Sequence, residues 1–172
     1  GDNTDGMSLF PLSGNRALMA VNNEYTNYQL LFAHGGDSLT ADDVKKAQAA
    51  HGVSIFEVEL KADGQWHYLK ESNYNRRITA NTEMELTGVA AGHALLKTNA
   101  DPTGKKVLGT FNNCANGKTP WGTYLTCEEN FNGYFAAPGA HMDTHQKRYG
   151  LKADKNKYQW NTFDQRFDMT KE

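Results

Sequence analysis

The chain has 172 residues, enough for one domain with a real core and too few for two ordinary ones. Its composition, 38% hydrophobic and 22% charged with a mean hydropathy of −0.72, excludes both a disordered chain and a strongly apolar globule. A net charge of −2 leaves no basic field for a nucleic-acid backbone, and no apolar run approaches the ~20 residues that span a bilayer.

The opening Gly1–Gly6 has neither the basic nor the apolar region of a signal peptide, which leaves the compartment open. Segments 7–12 (MSLFPL) and 17–22 (ALMAVN) are short apolar runs around Ser13-Gly14-Asn15, the pattern of a β-hairpin. Thr40 followed by Asp42 and Asp43 predicts a helix start, and Gly52 its end, so one short helix is expected near 41–51. Its apolar positions Val44, Ala47 and Ala50 are small, which predicts a surface helix rather than a core one. Val53–Leu60, the Asp63-Gly64 turn and Trp66–Leu69 form a second hairpin with the rhythm of a propeller blade. Segment 86–98 reads as loop, 107–111 as a strand and 121–130 as a strand ending in acid.

Candidate chemistry concentrates in 109–135. Thr119-Pro120-Trp121-Gly122 fixes a rigid turn, and Cys127-Glu128-Glu129 stands at the far end of the strand that follows. Three acidic groups side by side repel one another, and a bound cation removes that cost by keeping all three ionised. Thiolate suits a transition metal such as iron or zinc, and carboxylate oxygens suit calcium. The plainer reading is that Cys127 is a small core residue and the glutamates are solvated; the residues alone leave both open. Arg76 and Arg77 suit bidentate capture of a phosphate, or form a solvated basic loop. Asn112 and Asn113 suit phosphate orientation or turn capping. His141, Asp143 and His145 suit a metal or a flexible loop. Two cysteines are too few for a disulfide scaffold, and Cys114 reads as a buried thiol or a bridge partner.

The segment GT-x-NNCA-x-G-x-TPWGTYLTCEEN, 109–130, resembles the signature of the PhoX alkaline phosphatases. The segments VNNEYTN (21–27), AAHGVSIFEVE (49–59), NRRIT (75–79), AAGHALLKT (90–98) and DPTGKKVLGT (101–110) are similar to family segments in family order, so the resemblance covers almost the whole chain. It implies a periplasmic or secreted metal-dependent phosphomonoesterase, exported folded through the twin-arginine route. It also implies a β-propeller whose channel holds iron and calcium. Carried onto this sequence, Cys127 ligates iron, Glu128 and Glu129 ligate iron or calcium, and Glu24 is a further ligand. Asn113, Arg76 and Arg77 become candidates for binding small-molecule phosphate esters. Asn116 replaces an expected small residue, a change expected to matter little.

Family members are several times longer, so 1–172 is expected to be the N-terminal part of a larger propeller, a single piece whose tail 152–172 runs on into missing blades. The alternatives are a non-catalytic propeller-like binding or structural module, or an inactive fragment of the phosphatase. The tail aromatics Tyr158, Trp160, Phe163 and Phe167 either lie bare, which favours self-association, or pack back on the chain.

Overall fold

The structure is a computed structural model that describes residues 1–154 and 156–171; positions 155 and 172 of the tail lie outside them. Alternating apolar residues and the Ser13–Asn15 turn pair β1 (Thr4–Pro11) with β2 (Arg16–Asn23), antiparallel, with Leu9 opposite Met19. A single turn, α1 (Tyr28–Leu31), and the helix α2 (Ala41–Ala50) follow. β3 (Gly52–Leu60) then returns along β2 over its full length, from Asn23 opposite Gly52 to Arg16 opposite Glu59.

The free edge of β3 takes two short strands end to end. β4 (Trp66–Tyr68) pairs at Val58–Leu60, and β5 (Arg76–Ile78) pairs at Val53–Ile55. The loop between them folds around Glu57, which is fully buried. Its carboxylate is ion-paired to Arg16 and accepts a hydrogen bond from Ser72 Oγ at 2.5 Å. Those two donors, Ser72 first, hold its pKa below the usual carboxylate range. The Glu57 N–H donates to Asn75 Oδ1, and Asn75 Nδ2 donates to the Leu69 carbonyl, closing the loop on itself.

Two further hairpins complete the β structure: β6 (Glu83–Glu85) with β7 (Lys106–Leu108), and β8 (Asn113–Lys118) with β9 (Tyr124–Glu128). A short helix, α3 (Thr144–Arg148), lies near the tail. The fold is mainly antiparallel β with few helices, in three sheets among the described residues.

Several expectations change. β1 begins at Thr4 rather than Met7, and Asn112-Asn113 leads into a strand of its own, β8. Segment 86–98 contains a 3-10 turn at Ala94–Leu96. Helix α2 starts where predicted, with Thr40 and Asp43 in a capping box: Asp43 N–H donates to Thr40 Oγ1 and Thr40 N–H to Asp43 Oδ2. Gly52 ends it at φ +94, where a Cβ would collide with the Ile78 carbonyl. The helix does keep one face in solvent, but its other face enters the core. Val44 and Ala47 are buried in the main core, because small side chains let the helix backbone come close to large rings.

That core is aromatic: Tyr28, Phe32, Phe111, Tyr134, Tyr158, Trp160 and Phe167 surround the helix. Tyr134 stacks on Tyr158 at 4.1 Å, and Trp160 Nε1 donates to Tyr28 Oη at 3.0 Å. The tail therefore packs back on the chain; of its four aromatics only Phe163 stays exposed. Arg166 fastens this tail by donating to Asp164, Asn81 Oδ1 and the Ala80 carbonyl.

His51 sits fully buried against Tyr134, Tyr158 and Trp160. Its Nδ1 lies 2.6 Å from the Ala47 carbonyl, which can only accept, so Nδ1 carries the proton and Nε2 accepts from Tyr134 Oη at 2.9 Å. Burial pushes its pKa down to about 4. A neutral native imidazole and an unfolded one near 6.5 mean that the unfolded state takes up more protons below pH 6.5. Stability is therefore expected to fall by about 3 kcal/mol as pH drops from 6.5 to 4. Denaturant unfolding at stepped pH checks this, and His51→Gln should flatten that slope.

Candidate metal centre

Two β-bulges face each other where β1 lies on the β8–β9 hairpin. The β1–β2 register breaks between Thr4 and Met7, and the β8–β9 register breaks between Asn113 and Asn116. An extra residue in one strand turns its side chain off the normal alternation. Asp5 occupies the first bulge and Cys114 the second. Gly6 permits the close approach: a Cβ there would stand 2.6 Å from the Cys114 carbonyl oxygen.

Asn22 locks the crossing. It is fully buried on β2; its Nδ2 donates to the Cys114 carbonyl at 2.8 Å, and its Oδ1 lies 2.9 Å from Tyr124 Oη and 3.1 Å from Thr126 Oγ1. Asn116 adds a second tie, donating to Ser8 Oγ at 2.7 Å. The expectation that a larger residue at 116 matters little is thereby corrected, because its amide joins β8 to β1.

Asp5, Glu24 and Cys114 each present one donor atom, all within 4.8 Å of one another. The Cys114 thiol donates to Asp5 Oδ2 at 2.8 Å. Hydrogen bonds to Asp5, and then to Glu129, push its pKa up to about 12. Glu24 is raised by burial and by the neighbouring negative charges of Asp5 and Glu129. Glu129 is placed by its own N–H, which donates to the Asn112 carbonyl at 2.9 Å just beyond β9. Asp5 and Glu129 thus flank Cys114 and Glu24, and their negative charge makes those two harder to ionise. A thiol among carboxylates that hold its proton is the donor set a cation would relieve, sulfur for a transition metal and oxygen for a hard one.

The predicted ligands divide. Glu24 belongs to this group, and Glu129 adjoins it through a hydrogen bond with the Cys114 thiol. Cys127 lies outside it: strand alternation turns Tyr124 and Thr126 toward Asn22 and sends Leu125 and Cys127 outward, where both are exposed. Cys114, re-aimed by its bulge, is the thiol that faces Asp5 and Glu24. Glu128 remains exposed at its rim, yet its Oε1 accepts from the Phe111 N–H at 3.2 Å; desolvation raises its pKa. It thus turns toward Phe111 rather than toward Cys114.

The phosphate-binding candidates are placed elsewhere. Arg76 and Arg77 sit on β5, three strand spacings or roughly 14 Å from β1. Arg76 donates to the Tyr74 carbonyl at 2.9 Å. Asn113 is fully enclosed and donates to Thr110 Oγ1 at 2.6 Å. Asn112, at φ +53, makes the turn into β8 and donates to Tyr134 Oη at 2.8 Å. Of the trio at 141–145, Asp143 caps α3 by accepting from Gln146 N–H, and both histidines are exposed. Asp5 is the ligand candidate that sequence reasoning missed. Its signal was available in the Asp5-Gly6 pair just ahead of the apolar run, a common bulge composition.

Compared with known proteins, the whole chain, residues 1–172, matches the family model described as alkaline phosphatase PhoX. A solved structure of Pseudomonas fluorescens PhoX, in complex with vanadate as a transition state analogue, is 58% identical and superposes with a TM-score of 0.95. The match covers 99% of this chain and 30% of that one, so the chain spans about a third of the relative's length. No curated protein matches.

The two thiols should differ in reactivity. With metal chelated at pH 8, a thiol-disulfide reagent is expected to label Cys127 fast and spare Cys114, whose thiolate fraction is about one in ten thousand at a pKa of about 12. Asp5→Asn should quicken labelling of Cys114 alone, as read by peptide mass spectrometry.

Proposed function

The chain belongs to the alkaline phosphatase PhoX family, and from that premise we propose that it supplies part of the metal centre of a metal-dependent phosphomonoesterase. The observation that carries this reading is the convergence of Asp5, Glu24 and Cys114 within 4.8 Å at two facing bulges. Vanadate, bound by the Pseudomonas relative as a transition state analogue, fits the same reading, since a phosphatase stabilises a transferring phosphoryl group.

Asp5, Glu24, Cys114 and Glu129 would hold the metal, with iron on the thiolate side and calcium on carboxylate oxygens. Bound there, the cations supply charge stabilisation to the phosphate oxygens of the ester. The chain's own residues do the positioning. Asn22 fixes the Cys114 backbone, Gly6 allows β1 to lie against it, and Asp5 Oδ2 accepts the hydrogen bond of the Cys114 thiol. Ligand loss by Cys114 then costs both metal and turnover.

The antiparallel β1–β4 sheet is read as one blade of a propeller, a reading that its consecutive up-and-down strand order supports. Residues 1–172 are read as a single piece of that larger ring, located in the periplasm or outside the cell after export through the twin-arginine route. The substrates are small phosphate esters.

The test is p-nitrophenyl phosphate turnover by the full-length protein with iron and calcium supplied, alongside metal analysis. Cys114→Ala is expected to lose iron and at least about 100-fold in activity, while Cys127→Ala keeps both. A folded protein that binds metal yet releases no nitrophenolate would defeat the phosphatase reading. Unchanged metal content and stability in Cys114→Ala would favour a non-catalytic module instead.

A further inference from the structure

We propose that Lys157 is a phosphate-binding residue of this site, its ammonium clamped on two aromatic faces beside the acidic cluster and directed at the anionic ester. The inference rests on the phosphatase reading and names a residue for it. Lys157 Nζ lies 4.5 Å from the Tyr25 ring centroid and 5.0 Å from that of Tyr158. Tyr25 directly follows Glu24 in the chain, so one half of the clamp grows from a member of the metal cluster.

The other half is anchored in the core. Tyr158 is buried, stacked on Tyr134, and its carbonyl accepts from Tyr28 Oη at 2.8 Å. The backbone at 157 is tied as well, its N–H donating to the Gly133 carbonyl at 2.9 Å. A lysine held this way has given up part of its rotamer freedom before any ligand arrives.

Its charge is felt at the site, where it offsets part of the upward shift of Glu24. Among the described residues, however, no carboxylate stands within ion-pairing distance of Nζ. Once cations neutralise Asp5, Glu24, Cys114 and Glu129, the ammonium is a positive group without an anionic partner at the rim of the centre. An ammonium is a compact three-donor cation suited to phosphate oxygens as a point charge. Lys157 is exposed, so the clamped ammonium stays open to solvent and to a ligand.

The experiment compares wild type, Lys157→Met and Lys157→Arg in the full-length, metal-loaded protein. Met keeps the aliphatic stem on both rings and deletes the charge; Arg keeps the charge. With Lys157→Met, KM for p-nitrophenyl phosphate and the inhibition constant of inorganic phosphate are both expected to rise about tenfold, the loss of one charged contact. Metal content and melting temperature should stay near wild type, and Lys157→Arg should recover most of the affinity. Unchanged KM and phosphate inhibition in Lys157→Met, in an enzyme whose wild type turns over, would overturn the inference and leave the phosphatase reading intact. So would loss of metal from that variant, which would make Lys157 a support of the cluster. A wild type without turnover would overturn both.

Discussion

The imidazole of His51 is the joint on which the structure turns. It stands where helix α2 ends and β3 begins, takes its tautomer from the Ala47 carbonyl, and passes a hydrogen bond to Tyr134. Tyr134 in turn accepts from Asn112, the left-handed residue that sends the chain into β8 and on to Cys114. A helix end, the aromatic core and the strand carrying the thiol are thus linked by three buried hydrogen bonds. Each of those polar groups is enclosed, so losing one strands the others without water to replace it. The same histidine meets three rings edge-on, which leaves its orientation little freedom.

The acidic cluster is built on the opposite principle. The aromatic core is held by its own packing, whereas the cluster around Cys114 is held by the backbone although its neighbours keep Cys114 and Glu24 from ionising. Two bulges, the Gly6 approach and the Asn22 amide do that holding. Strain of this electrostatic kind belongs at functional sites, where a ligand relieves it.

Much of the framework was legible in the sequence because it is local. The Thr40–Asp43 cap, Gly52 and the hairpin at 53–69 are written in adjacent residues with known conformational demands. The site was legible only in part. The resemblance pointed to Glu24, Glu128, Glu129 and Cys127, whereas the grouping of Asp5 and Cys114 with Glu24 depends on two bulges that a strand read from sequence does not show. A bulge inverts the parity of a strand, and it arises from contact with a strand more than a hundred residues away. The same limit explains Val44 and Ala47: their small size looks like a surface trait until the rings that need the space are seen. Family resemblance carried the overall identity, because its motifs run through the whole chain.

The tie between Asp5 and Cys114 closes a loop of 109 residues. Loop entropy grows only logarithmically, so doubling such a span adds about 0.6 kcal/mol, but it must be met before the contact gives anything back. Tyr28 meets Tyr158 and Trp160 across 130 and 132 residues, and those rings bury enough surface to offset their own closure. Once they have docked, the segment bearing Cys114 is confined between two fixed points and its remaining search is short.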